Sequence, residues 1–217
     1  MSLWVKICAN TSLEDALLAD AAGADAVGFV FAPSPRRVTP AQVAAIVPHL
    51  PAALEKIGVF VGASFDEIAA TVETAGLTGV QLHFEAAPAL AAGLRARFGN
   101  RLRILRVVHF DSAPDTNPGE FDADAVLVDS RTATVVGGTG KSFDWTAASK
   151  TLFQNKNGRE HRLVAAGGLS PENVGEAIAI LQPWGVDVVS GVEAAPGRKD
   201  PAKVRAFVTN ARKAKRG

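Results

Sequence analysis

The chain is nearly without cysteine. Among its 217 residues Cys8 stands alone, so no internal disulfide can form and a reducing, cytosolic setting is expected. It also lacks a charge excess. Twenty-three Lys and Arg face twenty-two Asp and Glu, a formal charge of +1, whereas a nucleic-acid binder gathers a basic surplus on one face. The one basic run, ARKAKRG at 211–217, reads as a solvated helix end. Long apolar runs are missing too. None approaches the roughly 20 residues of a membrane span, and Lys6 and Asp15 interrupt the first apolar residues. Neither a membrane segment nor a secretory leader is therefore expected.

Several motifs are also missing. No early G-x-G-x-x-G fingerprint appears, and no G-x-S-x-G elbow. GGTGKSFDW is not a Walker loop, because Thr134, Val135 and Val136 leave no glycine where that spacing needs one. The histidines show no H-x-x-x-H or H-x-H spacing, so no metal site is expected.

What is present is alternation. Apolar residues make up 47% of the chain, enough for a substantial core. They gather in eight short runs: WVKICA, AVGFVF, KIGVFV, GVQLH, RILRVVH, AVLVD, RLVAAGG and VDVVSG. Near-continuous apolar runs fit strands covered on both faces. Between most of them lies a helix with its own start signal. Ser12 caps one that Gly23 stops, Thr39 with Pro40 opens a second, and Ser64 with Glu67 has capping-box spacing. SPENVGEAIAILQ repeats the device with Ser170, Pro171 and Asn173, and Asp200 caps the last helix.

Eight strands with intervening helices predict one (β/α)8 barrel domain over residues 1–217. A doubly wound open sheet is the alternative, and it would usually need fewer strands. FDSAPDTNPGEFDAD, between strands five and six, is rich in Pro, Asp and Gly. The helix there is expected to be reduced or missing.

In a barrel, function belongs to the C-terminal strand ends. Cys8 ends strand one and Asp129 strand six. Gln81 and His83 stand at the end of strand four, with Arg106 and His109 on strand five. Gly167 and Gly168 follow strand seven, and Ser190 and Gly191 follow strand eight. Bare backbone amides on those two loops suit a phosphate, although glycines there also simply make tight turns. A thiol and a carboxyl across a barrel mouth suit proton transfer on opposite sides of one substrate. The residues alone leave that reading level with a buried thiol and an N-capping carboxylate. Lys6 would favour the thiolate. In PSPRRV, Arg36 or Arg37 suits a substrate carboxylate, or else solvent.

Seven stretches taken together resemble the phosphoribosylanthranilate isomerase family of tryptophan biosynthesis. They are VKICANT, GADAVGFVFAPSPRRVTP, GVFV, VQLH, LVDS…GGTGKSFDW, AAGGLSPENV and VDVVSGVEAAPGRKD, and they run from about Lys6 to Asp200. The resemblance implies a (β/α)8 barrel and a cofactor-free Amadori rearrangement of N-(5-phosphoribosyl)anthranilate. It implies Asp129 as general acid and Cys8 as general base. Arg37 would hold the anthranilate carboxylate, and backbone around Gly167, Gly168, Ser190 and Gly191 the phosphate. His83 falls among the substrate contacts. A phosphorylated small molecule is the implied partner, with no nucleic acid or membrane, and the chain a monomer or homodimer.

The sequence departs from the family pattern twice. Ala9 stands where K-I-C-G has its glycine, and Phe84 where Q-L-H-G has its own. A side chain there costs roughly 1 kcal/mol if the backbone needs positive φ, and Phe84 would crowd the mouth. These departures leave open a barrel that binds a phosphorylated ligand without turning it over. A sibling isomerase of histidine biosynthesis typically has an aspartate at the end of strand one, where this chain has Cys8.

Overall fold

The computed structural model describes residues 2–83, 88–109, 122–129, 145, 149 and 162–214. Phe84, the segment expected to replace helix five, nearly all of the loop after strand six and the last three residues lie outside the described residues.

Eight parallel strands close into a barrel in chain order. They are β1 (Trp4–Ile7), β2 (Ala26–Val30), β3 (Glu55–Phe60), β4 (Gly79–Leu82), β5 (Arg103–His109), β6 (Ala125–Asp129), β7 (Leu163–Ala166) and β8 (Gly185–Val188). β1 closes the ring on β8, with Lys6 paired to Asp187 and Ile7 to Val188. The described helices are α1 (Leu13–Ala21), α2 (Pro40–Ile46), α3 (Phe65–Ala75), α4 (Pro88–Phe98), α5 (Val174–Leu181) and α6 (Pro201–Ala214). A short antiparallel hairpin, β9 (Glu193–Ala195) and β10 (Arg198–Lys199), follows β8.

The helix starts follow their capping residues. Ser12 accepts from the Asp15 amide, and full capping boxes form at Thr39–Gln42 and Ser64–Glu67. The Asp200 carboxylate accepts from the amides of Ala202 and Lys203 at 2.8 and 3.0 Å. Ser170 does not cap its helix. It starts a turn in which its amide donates to Asn173 Oδ1 at 2.8 Å, and α5 begins only at Val174. Glycine at +66° ends α3, the left-handed turn that Gly76 adopts without a Cβ penalty.

Strand alternation separates two cores. Outward residues such as Val5, Ile7, Val27, Phe29, Val80 and Leu82 pack with Ala16, Val43, Ile68, Leu94, Ile178 and Phe207 of the helices. Inward residues Trp4, Ala26, Ile57, Leu105, Val107, Ala125, Leu127, Val164 and Ala166 fill the barrel. This double coverage is why the strands read as unbroken apolar runs. No described helix is long and apolar enough to cross a membrane.

Candidate active site

Cys8 continues the inward face of β1, two residues beyond Lys6 and four beyond Trp4. Its amide donates to the Val188 carbonyl at 2.9 Å, which extends the β1–β8 pairing by one residue. Next to it on β2 stands Gly28. A Cβ at Gly28 would lie 2.5 Å from Cys8 Sγ and 3.0 Å from Lys6 Cε. The missing side chain is the seat of the sulfur. Cys8 is 3% exposed.

The turn after Cys8 needs positive φ, and Ala9 adopts +60° with its methyl group buried. That left-handed alanine costs about 1 kcal/mol. The turn is held by Asn10, which does not cap α1. It is fully buried, and its side-chain amide donates to the carbonyls of Ile7 at 2.8 Å and Gly28 at 3.2 Å.

Below the thiol lies a charged layer. Lys6 Nζ donates to Asp187 Oδ1 and to Gln81 Oε1, both at 2.9 Å, with the Lys6 side chain fully buried. Burial opposes its charge, but Asp187 and Cys8 outweigh that and hold Lys6 above the usual lysine value. Cys8 itself is pushed above the ordinary thiol range. Burial is the main cause, Asp187 adds to it, and the pull of Lys6 and Lys199 towards thiolate does not compensate. Lys6 thus favours the thiolate without achieving it in the resting protein.

Asp129 ends β6, in register with Ala166 of β7. It alternates with Val128 and shares the inward face of Ala125 and Leu127, and it is buried. Cys8 and Asp129 therefore both project from the inner face, from strands well apart on the ring. The backbone of His109 pairs with Asp129, while its side chain lies outside the described residues. Arg106 is corrected. It pairs with Leu82 and Val126 on the outer face, so it does not reach the barrel interior. His83 follows β4 half-buried, with its amide donating to the Phe60 carbonyl at 3.4 Å.

The two arginines of the loop after β2 separate. Arg36 forms a bidentate pair with Glu193 of β9, Nε to Oε1 at 2.8 Å and Nη2 to Oε2 at 2.6 Å. Arg37 is exposed, and among the described residues its guanidinium makes no hydrogen bond or ion pair. Glu193 is buried. Burial would raise its pKa, but Arg36, Lys199 and the Gly197 amide hold it below the usual glutamate range. Lys199 Nζ donates to the Cys8 carbonyl at 2.5 Å and lies 3.6 Å from Glu193.

After β7, Gly167 and Gly168 take φ of +82° and +65°. After β8, Ser190–Val192 form a 3-10 turn. The two loops meet there, where a Cβ on Gly191 would stand 2.0 Å from the Leu169 carbonyl oxygen. Among the described residues, no group of three or more His, Cys, Asp or Glu is placed to hold a metal ion.

Barrels of this kind work at their C-terminal strand ends, and Cys8, Asp129, Glu193 and Lys199 stand at that end here. The protein is an enzyme of the (β/α)8 class. A sequence model of N-(5'phosphoribosyl)anthranilate (PRA) isomerase matches residues 5–210. The N-(5'-phosphoribosyl)anthranilate isomerase of Pelobacter propionicus is 44% identical over 205 residues, covering 94% of this chain and 93% of its own. The crystal structure of phosphoribosyl anthranilate isomerase from Thermotoga maritima superposes with TM-score 0.82 at 38% identity, over 96% of this chain and 98% of that one. A further isomerase structure, in complex with reduced 1-(o-carboxyphenylamino)-1-deoxyribulose 5-phosphate, gives TM-score 0.75 at 34% identity, again over 96% and 98%. The chain belongs to the phosphoribosylanthranilate isomerase family.

Sequence reasoning singled out Cys8, Asp129 and the glycine loops but passed over Gly28, Asp187, Glu193 and Lys199. Gly28 had a signal, a glycine inside an apolar strand. Asp187 had one as well, an acid in the apolar run GVDVV. The contacts of Glu193 with Arg36 and of Lys199 with the Cys8 carbonyl had none, because the partners are far apart in the chain.

Proposed function

We propose that this single barrel domain converts N-(5-phosphoribosyl)anthranilate to 1-(2-carboxyphenylamino)-1-deoxyribulose 5-phosphate in tryptophan biosynthesis, with Asp129 as general acid and Cys8 as general base. Protonated Asp129 gives its proton to the ribose ring oxygen, the C1–O bond breaks, and a Schiff base forms at C1. The Cys8 thiolate then takes the C2 proton and becomes a thiol. The resulting enolamine tautomerises to the ketone. No redox change occurs, and no cofactor is called for.

Arg37 binds the anthranilate carboxylate. Of the two arginines in its loop, Arg36 is already committed to Glu193. Backbone amides around Gly167, Gly168, Ser190 and Gly191 hold the phosphate, and His83 lines the mouth. Positive φ at both glycines exposes backbone that a Cβ would cover. A lone thiol that must stay reduced to act suits the cytosol.

The observation that carries this reading is the seat of Cys8 Sγ against Gly28, on the inner barrel face that Asp129 shares. The test is the decay of substrate fluorescence in the presence of Cys8→Ser and Asp129→Asn. Each lowers kcat by at least about 100-fold with thermal unfolding unchanged. Near-normal turnover in either variant removes that residue from the mechanism. Tight binding of a product analogue by the wild type without any conversion would leave a binding protein instead.

A further inference from the structure

A buried thiol is a poor base, because burial disfavours the charge it must carry. The structure places a counter-charge directly beside it. Lys6 is two residues before Cys8 on the same inward face, and the Cβ position of Gly28 lies close to both Lys6 Cε and Cys8 Sγ. The ammonium is fully buried, and Asp187 and Gln81 are its hydrogen-bond acceptors. A permanently buried lysine between a carboxylate and a thiol is an unusual arrangement for mere packing, because a buried ion pair rarely outperforms apolar residues of the same volume.

We propose that the Lys6–Asp187 pair is a positioning device for Cys8: Lys6 compensates the negative charge the sulfur carries when it acts as base, and Asp187 competes for the same ammonium. The inference rests on Cys8 being the base. In the resting barrel the ammonium is balanced by Asp187 while the thiol is neutral. When the thiol gives its proton to solvent water and the thiolate forms, Lys6 has two anions to serve, and no proton leaves the ammonium. After the C2 proton is taken, the sulfur is neutral again and the ammonium returns to Asp187 alone. Lys199 of β10, whose Nζ holds the Cys8 carbonyl, and Arg36 of the loop after β2 also act on the sulfur. Gln81 of β4 is neutral and fixes the position of Lys6.

The two members of the pair act on the thiol with opposite sign, and Lys6 acts more strongly. Any ammonium and carboxylate so placed act with opposite sign, so it is the kcat/KM profile that separates a catalytic role from a structural one. The chain has one cysteine, so alkylation by iodoacetamide reports Cys8 alone. At about pH 7 its rate follows the thiolate fraction. Asp187→Asn is expected to react about tenfold faster than wild type and Lys6→Met about tenfold slower. Lys6→Met/Asp187→Asn, which removes the pair as a unit, falls between wild type and Lys6→Met.

A loosened barrel would speed alkylation in every variant, so the slower double variant keeps the test valid even where Lys6→Met folds poorly. The acid limb of the kcat/KM profile should move in the same order, to higher pH for Lys6→Met and to lower pH for Asp187→Asn. Equal rates, or both single variants shifting in one direction, would overturn the coupling. An ordered alkylation series with an unmoved kcat/KM profile would overturn the assignment of the base to Cys8, and the catalytic meaning of the pair with it.

Discussion

Gly28 decides where the Cys8 sulfur sits. A methyl group there would come 2.5 Å from Sγ and 3.1 Å from Cys8 Cα, and backbone cannot yield as a flexible side chain does. Gly28→Ala should therefore displace the thiol. The expected outcome is a drop in kcat/KM of about 100-fold, the scale of an ångström of misplacement. Overpacking should cost about 1–3 kcal/mol in urea unfolding. On a Cys8→Ser background the same change should add little to the kinetic loss, because both act through one atom. Unchanged kcat/KM in Gly28→Ala would mean that the sulfur does not need this seat. The lone cysteine and the strand-end aspartate were legible in the sequence because each stands at the end of an otherwise apolar run. The condition that positive φ would tax Ala9 is also met, at +60°. The net proton affinity of Cys8 was not legible. Lys6 was visible two residues away, but the burial that outweighs it belongs to the closed barrel.

The hairpin β9–β10 joins three parts of the site. Glu193 holds Arg36, Lys199 holds the Cys8 carbonyl, and Thr11 Oγ1 donates to the Gly197 carbonyl at 2.6 Å. Gly197 at +79° makes the turn that allows this contact. The Glu193 carboxyl lies below its ordinary range in the fold, opposed by burial but lowered by Arg36, Lys199 and the Gly197 amide. The unfolded chain binds its proton first as pH falls. The stabilisation is thus present above the unfolded value of about 4.3 and is lost as pH falls through the lower folded one. Glu193→Gln should flatten the acid side of a plot of Tm against pH. At neutral pH it should cost about 1–2 kcal/mol, since hydrogen bonds to charge are lost while Arg36 still reaches water. A Tm profile parallel to wild type would mean that other carboxylates carry the acid dependence. Among the elements, the caps at Ser12, Thr39, Ser64 and Asp200 could be read from local chemistry alone. Ser170 misled because its S-P-E-N pattern also satisfies a turn, and here Asn173 Oδ1 takes the Ser170 amide. The hairpin was hidden because its contacts are with residues far away in sequence.

The whole barrel divides its labour between two ends. The alternation of strands and helices revealed the closed ring, and period two then fixed which side chains face inward. What fills the other end was not legible, because Trp4 and Trp184 lie at opposite ends of the chain. They stack with ring centroids 5.2 Å apart, and Arg103 and Arg162 lie over the Trp184 ring. Around them Glu55 pairs with Arg103 at 2.7 Å and Asp124 with Arg95 at 2.9 Å. Trp4 is 6% exposed and packs in the inner cluster with Ala26, Ile57, Leu105 and Val164. Trp4→Ala should cost about 3–5 kcal/mol, the loss expected for a large aromatic side chain that leaves a cavity. Cys8 lies one step of alternation beyond Lys6 on the same inward face, four residues beyond Trp4, and its seat is built by Gly28 and the loop at Ala9. In Trp4→Ala the urea midpoint should therefore fall while kcat and KM, measured where the variant is still folded, stay near wild type. Cys8→Ser should do the reverse, leaving the midpoint in place and lowering kcat by at least about 100-fold. If Trp4→Ala instead lowers kcat in step with stability, the two ends are mechanically coupled through β1 and the barrel does not separate its stabilising end from its reactive one.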